Sequence, residues 1–273
     1  MEAFCRLGIP SINYAEPSYI SNMNEIDEWK HKWNEGKITW KLESDTPDIE
    51  GKKFEVRIIN LAFLAWGKEM KNLKVRQQKR LTADAELKIN FVAKESDSYL
   101  KDKPNVLAYA YFPNPRSSLA GDITFNDDYI WSANGGSVPA WKHDPEHYSR
   151  YSKTMFKSYD LQHVATHEIG HALGLKHNPH CRECVMYPTY SGIKNLHNHK
   201  AERKYLVHGQ ELDLTDEAVA TYRKYGVEVT PVSIEDYLHD VERIQQFYGK
   251  RNLPSRLVEI LRNKIRRGYT IPE

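Results

Sequence analysis

HEIGHALGLKH, residues 167–177, decides how the rest of the chain is read. On a helix, His167 and His171 stand four residues apart and stack on one face, where two imidazoles can share a metal ion. Glu168 follows the first histidine, so its carboxylate lies beside that ion and can act on a bound water. Gly174 permits the positive φ that ends a helix and turns the chain. His177 can then swing back as a third nitrogen ligand. Three neutral imidazoles with one open position describe a catalytic zinc site, whereas a structural site is normally closed by four protein ligands. A histidine-rich amphipathic helix is the plainer alternative, but fixed positions at fixed spacing set this stretch apart from it.

The 273 residues suffice for one full domain with a sizeable core plus appendages. Hydrophobic content of 40% and charged content of 28% fit a soluble globular protein. No apolar run approaches a membrane span, so no membrane partner is expected. The net charge of +2 gives no reason to expect nucleic acid, despite basic stretches such as KNLKVRQQKR at 71–80. Residues 1–20 lack a basic start followed by an apolar core, so no secretory signal is read there. The expectation is a chain that works inside a cell as encoded, or outside it if already processed. Three cysteines make no disulfide framework and mildly favour a reducing setting. A monomer is expected.

Residues 38–42 alternate and read as a strand, and 50–72 carry apolar positions at helical spacing. Further strands are expected near 74–78, 86–93, 106–112 and 121–126, then a helix at about 160–173. The expected divisions are an N-terminal arm (1–36), a main domain (37–226) with an insertion (132–159), and a helical C-terminal extension (227–273).

Beyond His177 the chain runs through CVMYPTY, which holds Met186, Pro188 and Tyr190. A long histidine motif followed by a methionine turn resembles the metzincin zinc endopeptidases, and the surrounding sequence resembles the matrixin branch. KWNEGKITWKLESDTPDI (32–49), AELKINFV (85–92), LAYAYFPNP (107–115) and GDITFNDDYIW (121–131) resemble successive matrixin segments, and LTDEAVATYRKYG (214–226) resembles the closing helix. The resemblance implies an α+β fold of the metzincin type. That fold is a twisted five-stranded mixed β-sheet with helices packed on it, a zinc helix, and a C-terminal subdomain with a Met-turn. The helical tail would follow.

The resemblance further implies zinc held by His167, His171 and His177, with Glu168 as general base in peptide-bond hydrolysis. Met186 would form an apolar floor under the imidazoles. An extended peptide or protein substrate would lie along the strand containing Ala108 and Ala110. Pro188 and Tyr190 would wall the S1′ pocket, and His163 would line its base or stand as a half-exposed helix histidine.

Departures from the family pattern are as informative. Tyr109 and Thr124 stand where matrixins carry histidine ligands of a structural zinc. Glu86 and Asp122 match carboxylates of a calcium site, or are ordinary surface acids. Cys181 and Cys184 form C-x-x-C; a second zinc with two histidines from His180, His197 and His199, a local disulfide and two free thiols all fit. Cys5, in FCRLGIP, faintly resembles the family's cysteine switch or is an unremarkable thiol. Two rival readings are an archaemetzincin-like enzyme of narrow substrate range and a zinc-containing binding module.

Overall fold

The computed structural model describes residues 31–49, 52–80, 83–133, 136–139, 155–179, 181–190, 196, 203–214, 216–231, 239–252 and 257. Cys5, His180, His197 and His199 lie outside them. Strand β1 (Gly36–Leu42) leads to helix α1 (Lys52–Gly67) and strand β2 (Leu73–Gln77), then β3 (Leu87–Val92). A short helix α2 (Ser98–Asp102) precedes β4 (Ala108–Ala110) and β5 (Ile123–Asn126). Strands β6 (Trp131–Ser132), β7 (Gly136–Pro139) and β8 (Met155–Asp160) come before helix α3 (Leu161–Ala172). The chain ends its described part with β9 (Arg203–Val207), β10 (Gln210–Leu214), α4 (Asp216–Lys224), β11 (Val229–Pro231) and α5 (Asp240–Tyr248).

The main sheet has the order β2-β1-β3-β5-β4, with every pair parallel except β4 against β5. Alternation in β1 and β3 turns Ile38, Trp40, Leu42, Leu87, Ile89 and Phe91 inward. Helix α1 buries Ile58, Ile59, Ala62 and Trp66 in the same core, and Trp40 stacks on Phe63 at 5.1 Å. The indole of Trp66 donates to Thr166 O at 2.8 Å, which ties α1 to α3. The expected five-stranded mixed sheet with helices packed on it is therefore present. Two boundaries differ from expectation: α1 stops at Gly67, and β4 spans only Ala108–Ala110.

The two helices that follow α3 pack in different places. Helix α4, expected as the closing helix, packs with β9–β11 in a small cluster of its own around Tyr205, Val207, Val219 and Val229. Helix α5 instead contributes Ile244, Phe247 and Tyr248 to the main core. Both helices are amphipathic, so periodicity alone does not say which one meets the sheet domain. Among the described residues no helix is long and apolar enough to cross a membrane.

Candidate active site

Helix α3 opens at Asp160, whose carboxylate accepts from His163 N at 2.5 Å, and all of its residues are buried. It closes on Gly174, at φ +106°. Gly174 N donates to His171 O at 2.8 Å and Leu175 N to Gly170 O at 2.9 Å, the paired bonds of a Schellman cap. A Cβ on Gly174 would lie 2.3 Å from His31 O, so glycine is required both for the dihedral and for the close approach of the N-terminal segment. The turn sends the chain back toward the helix, carrying His177 with it.

His167, His171 and His177 converge. Their ring centroids are 4.8, 5.2 and 4.7 Å apart, and one ligand nitrogen from each lies within 4.8 Å of the others. The first two are fully buried and His177 is half-buried, so the cluster opens toward solvent on one side. His167 Nδ1 is 2.7 Å from Val185 O and His171 Nδ1 is 2.7 Å from Leu175 O. A carbonyl can only accept, so each Nδ1 carries the proton and each Nε2 presents a lone pair. Burial, then the neighbouring His171 and His177, holds His167 well below the usual histidine range; burial, then His177, does the same for His171. Neutral imidazole is the form that ligates a metal.

Glu168 is fully buried, and neither carboxylate oxygen has a hydrogen-bond partner among the described residues; the same holds for His171 Nε2. Burial pushes the Glu168 carboxyl well above its ordinary value. An isolated carboxylate beside three converging lone pairs is costly without a cation and a water to meet it. The donor set therefore fits zinc by ligand type, ligand number and burial.

Met186 is buried below the helix. A Cβ on Gly170 would lie 2.3 Å from Met186 Sδ, so the glycine in HEIGH makes room for the thioether. The Met-turn is held from α5: Met186 N donates to Asp240 Oδ2 at 2.8 Å, and Asn178 Nδ2 donates to Asp240 Oδ1 at 3.2 Å. Arg243 Nη1 donates to Lys176 O at 3.1 Å. Asp240 and Arg243 thus brace the loop on both sides of His177. Sequence reading missed them, and it missed the carbonyls of Val185 and Leu175.

The other predicted residues are placed as follows. Ala108 and Ala110 are on β4, the sheet edge, while Tyr109 pairs directly with Thr124 across β4 and β5. Tyr109 donates its hydroxyl to Asp97 at 2.8 Å and packs among Tyr99 and Tyr111, so an aromatic cluster fills that part of the fold. His163 is 1% exposed, which corrects the half-exposed alternative; its ring lies 5.5 Å from that of Tyr190. Tyr190 is buried and Pro188 half-buried. Glu86 and Asp122 belong to neither metal-capable group found among the described residues. Glu86 accepts from Thr39 N at 2.7 Å, and Asp122 from Lys88 N at 2.7 Å. Of the three readings for C-x-x-C, the structure joins Cys181 and Cys184 in a disulfide.

Comparison with known proteins agrees with this arrangement. The Matrixin family model matches residues 29–204. Macrophage metalloelastase of Oryctolagus cuniculus is 31% identical over 163 residues, 59% of this chain and 29% of that protein. Matrilysin of Homo sapiens is 30% identical over 187 residues, 68% of this chain and 57% of that protein. Interstitial collagenase of Equus caballus is 29% identical over 169 residues, 60% of this chain and 30% of that protein. The chain spans less than two thirds of the length of each of these relatives. With the histidine cluster, the Met-turn and the mixed sheet in place, the family match is decisive: this chain belongs to the matrixin family.

Proposed function

We propose that this protein is a zinc-dependent endopeptidase that cleaves extended peptide segments. The observation that carries the proposal is the convergence of His167, His171 and His177 with the buried carboxylate of Glu168 next to His167 in the chain. The three imidazoles would hold one zinc ion, which when bound supplies a Lewis acid and lowers the pKa of a coordinated water to about 7. Glu168 accepts the proton of the attacking water and passes it to the departing amine. Burial raises its proton affinity, which favours taking up that proton. The Val185 and Leu175 carbonyls fix the histidine tautomers, and Met186 supports the rings from below.

Substrate binds along β4. Leu107 O and both polar groups of Tyr111 bond toward β5. Antiparallel alternation therefore turns the main-chain groups of Ala108 and Ala110 outward, toward an incoming strand. Main-chain pairing of this kind is indifferent to sequence. Selectivity then falls to a side pocket walled by Pro188 and Tyr190, with His163 at its base. Glu86 and Asp122 serve as acceptors for backbone amides in this reading.

The test is casein digestion by wild type and Glu168→Gln, each with and without a zinc chelator. Only untreated wild type should cleave. Loss of a general base predicts a fall in kcat of about 10²–10⁴-fold, with zinc content unchanged. Cleavage that survives both the chelator and the substitution would contradict the proposal.

A further inference from the structure

We propose a second zinc site, formed by Cys181, Cys184 and His239 once the disulfide is reduced. These three side chains are the other group among the described residues whose ligand atoms lie within 4.8 Å of one another. His239 Nδ1 is 3.5 Å from Cys181 Sγ and 3.4 Å from Cys184 Sγ. In a tetrahedral site with zinc–sulfur bonds of ~2.3 Å and a zinc–nitrogen bond of ~2.0–2.1 Å, the nitrogen-to-sulfur edge is about 3.5 Å. The imidazole already stands at that edge distance from both sulfurs. Two cysteines separated by two residues form the short knuckle that zinc sites use repeatedly.

Cys181 and Cys184 lie in the loop between His177 and Met186, so sequence alone offers them only local partners. The ligand that completes the group comes from the N-terminal end of α5, 58 and 55 residues away in sequence. This differs from the set with two of His180, His197 and His199 expected from the sequence. Cys184 is buried, and Cys181 and His239 are half-buried, so the group is shielded yet reachable by solvent. Three protein ligands leave one coordination position for water.

The chemistry requires a reductant, for which a thiol or phosphine serves. Two electrons and two protons convert the disulfide to two thiols: a thiol reductant supplies both and becomes its own disulfide, whereas a phosphine supplies the electrons and becomes its oxide, with one water giving the oxygen and the two protons. Zinc binding then displaces the two thiol protons, and the Nδ1 lone pair of His239 completes the protein's share. The ion would clamp the loop carrying His177 and Met186 to the start of α5, beside the Asp240 bond to Met186 N.

The site is tested by loading the full chain with cobalt after phosphine reduction, and separately by counting zinc. Reduced wild type should hold two zinc ions and show a sulfur-to-cobalt charge-transfer band. Oxidised wild type should hold one and lack the band. Cys181→Ser/Cys184→Ser and His239→Ala should each return the count to one, and the double cysteine variant should abolish the band. A His167→Ala/His171→Ala chain should keep it, which separates this site from the catalytic proposal. One zinc and no band in reduced wild type overturns the inference without recourse to any variant. So does a band that persists in the double cysteine variant.

Discussion

At the residue scale, the reactive group was readable because its ligands are side chains clustered in eleven residues of sequence. What orients them was not. The acceptors for His167 and His171 are backbone carbonyls, which leave no mark in residue identity, and Asp240 lies 54 residues from the Met186 amide it accepts. Asp160 offers a pH-dependent prediction at this scale. Burial pushes its carboxyl up from 3.8 to about 7, against the lowering effect of the His163 amide. Between about pH 4 and 7 the folded chain then holds a proton that the unfolded chain has lost, so this group's contribution to stability falls as pH rises through that window. Asp160→Asn keeps the cap acceptor but cannot titrate. Denaturant midpoints measured from pH 5 to 8 should show a shallower decline, or a steeper rise, with pH for the variant than for wild type. Parallel profiles would contradict the assignment.

At the element scale, the zinc helix, its glycine stop and the inward faces of β1 and β3 followed from periodicity and turn chemistry. The closing helix did not, since α4 and α5 carry similar apolar spacing and only tertiary packing separates them. Gly170 carries the prediction here. An alanine there would drive its Cβ into Met186 Sδ and close on Trp66, both held in a packed core. Overpacking of this kind typically costs about 1–3 kcal/mol. Gly170→Ala should lower the melting temperature by several degrees and weaken zinc binding, read by chelator competition. Unchanged affinity and melting would show that Met186 moves aside freely. Asp240→Asn tests the brace from α5: with one amide acceptor exchanged for a donor, the Met-turn should loosen and zinc should dissociate faster, while the main sheet keeps its far-ultraviolet spectrum.

At the scale of the whole molecule, one continuous core runs from Ile38 through α1, the sheet and α3 to Tyr248. Helix α5, within the C-terminal extension, is therefore part of that core. Ile244 is fully buried, and Ile244→Ala should cost about 2–5 kcal/mol, measured by urea unfolding. A cost near zero would mean that α5 is dispensable. The converging lone pairs tie folding to the metal as well. Free zinc at a hundred times its dissociation constant should stabilise the fold by about 2.7 kcal/mol, seen as a rise in melting temperature that a chelator reverses.

The most direct measurement is zinc-edge anomalous diffraction from crystals of Glu168→Gln grown with zinc, the substitution preventing self-cleavage. A strong anomalous peak bounded by the Nε2 atoms of His167, His171 and His177 is expected, with the residue 168 side chain facing the open coordination position. Zinc-bearing crystals with no peak among those three nitrogens would contradict the proposed catalytic centre.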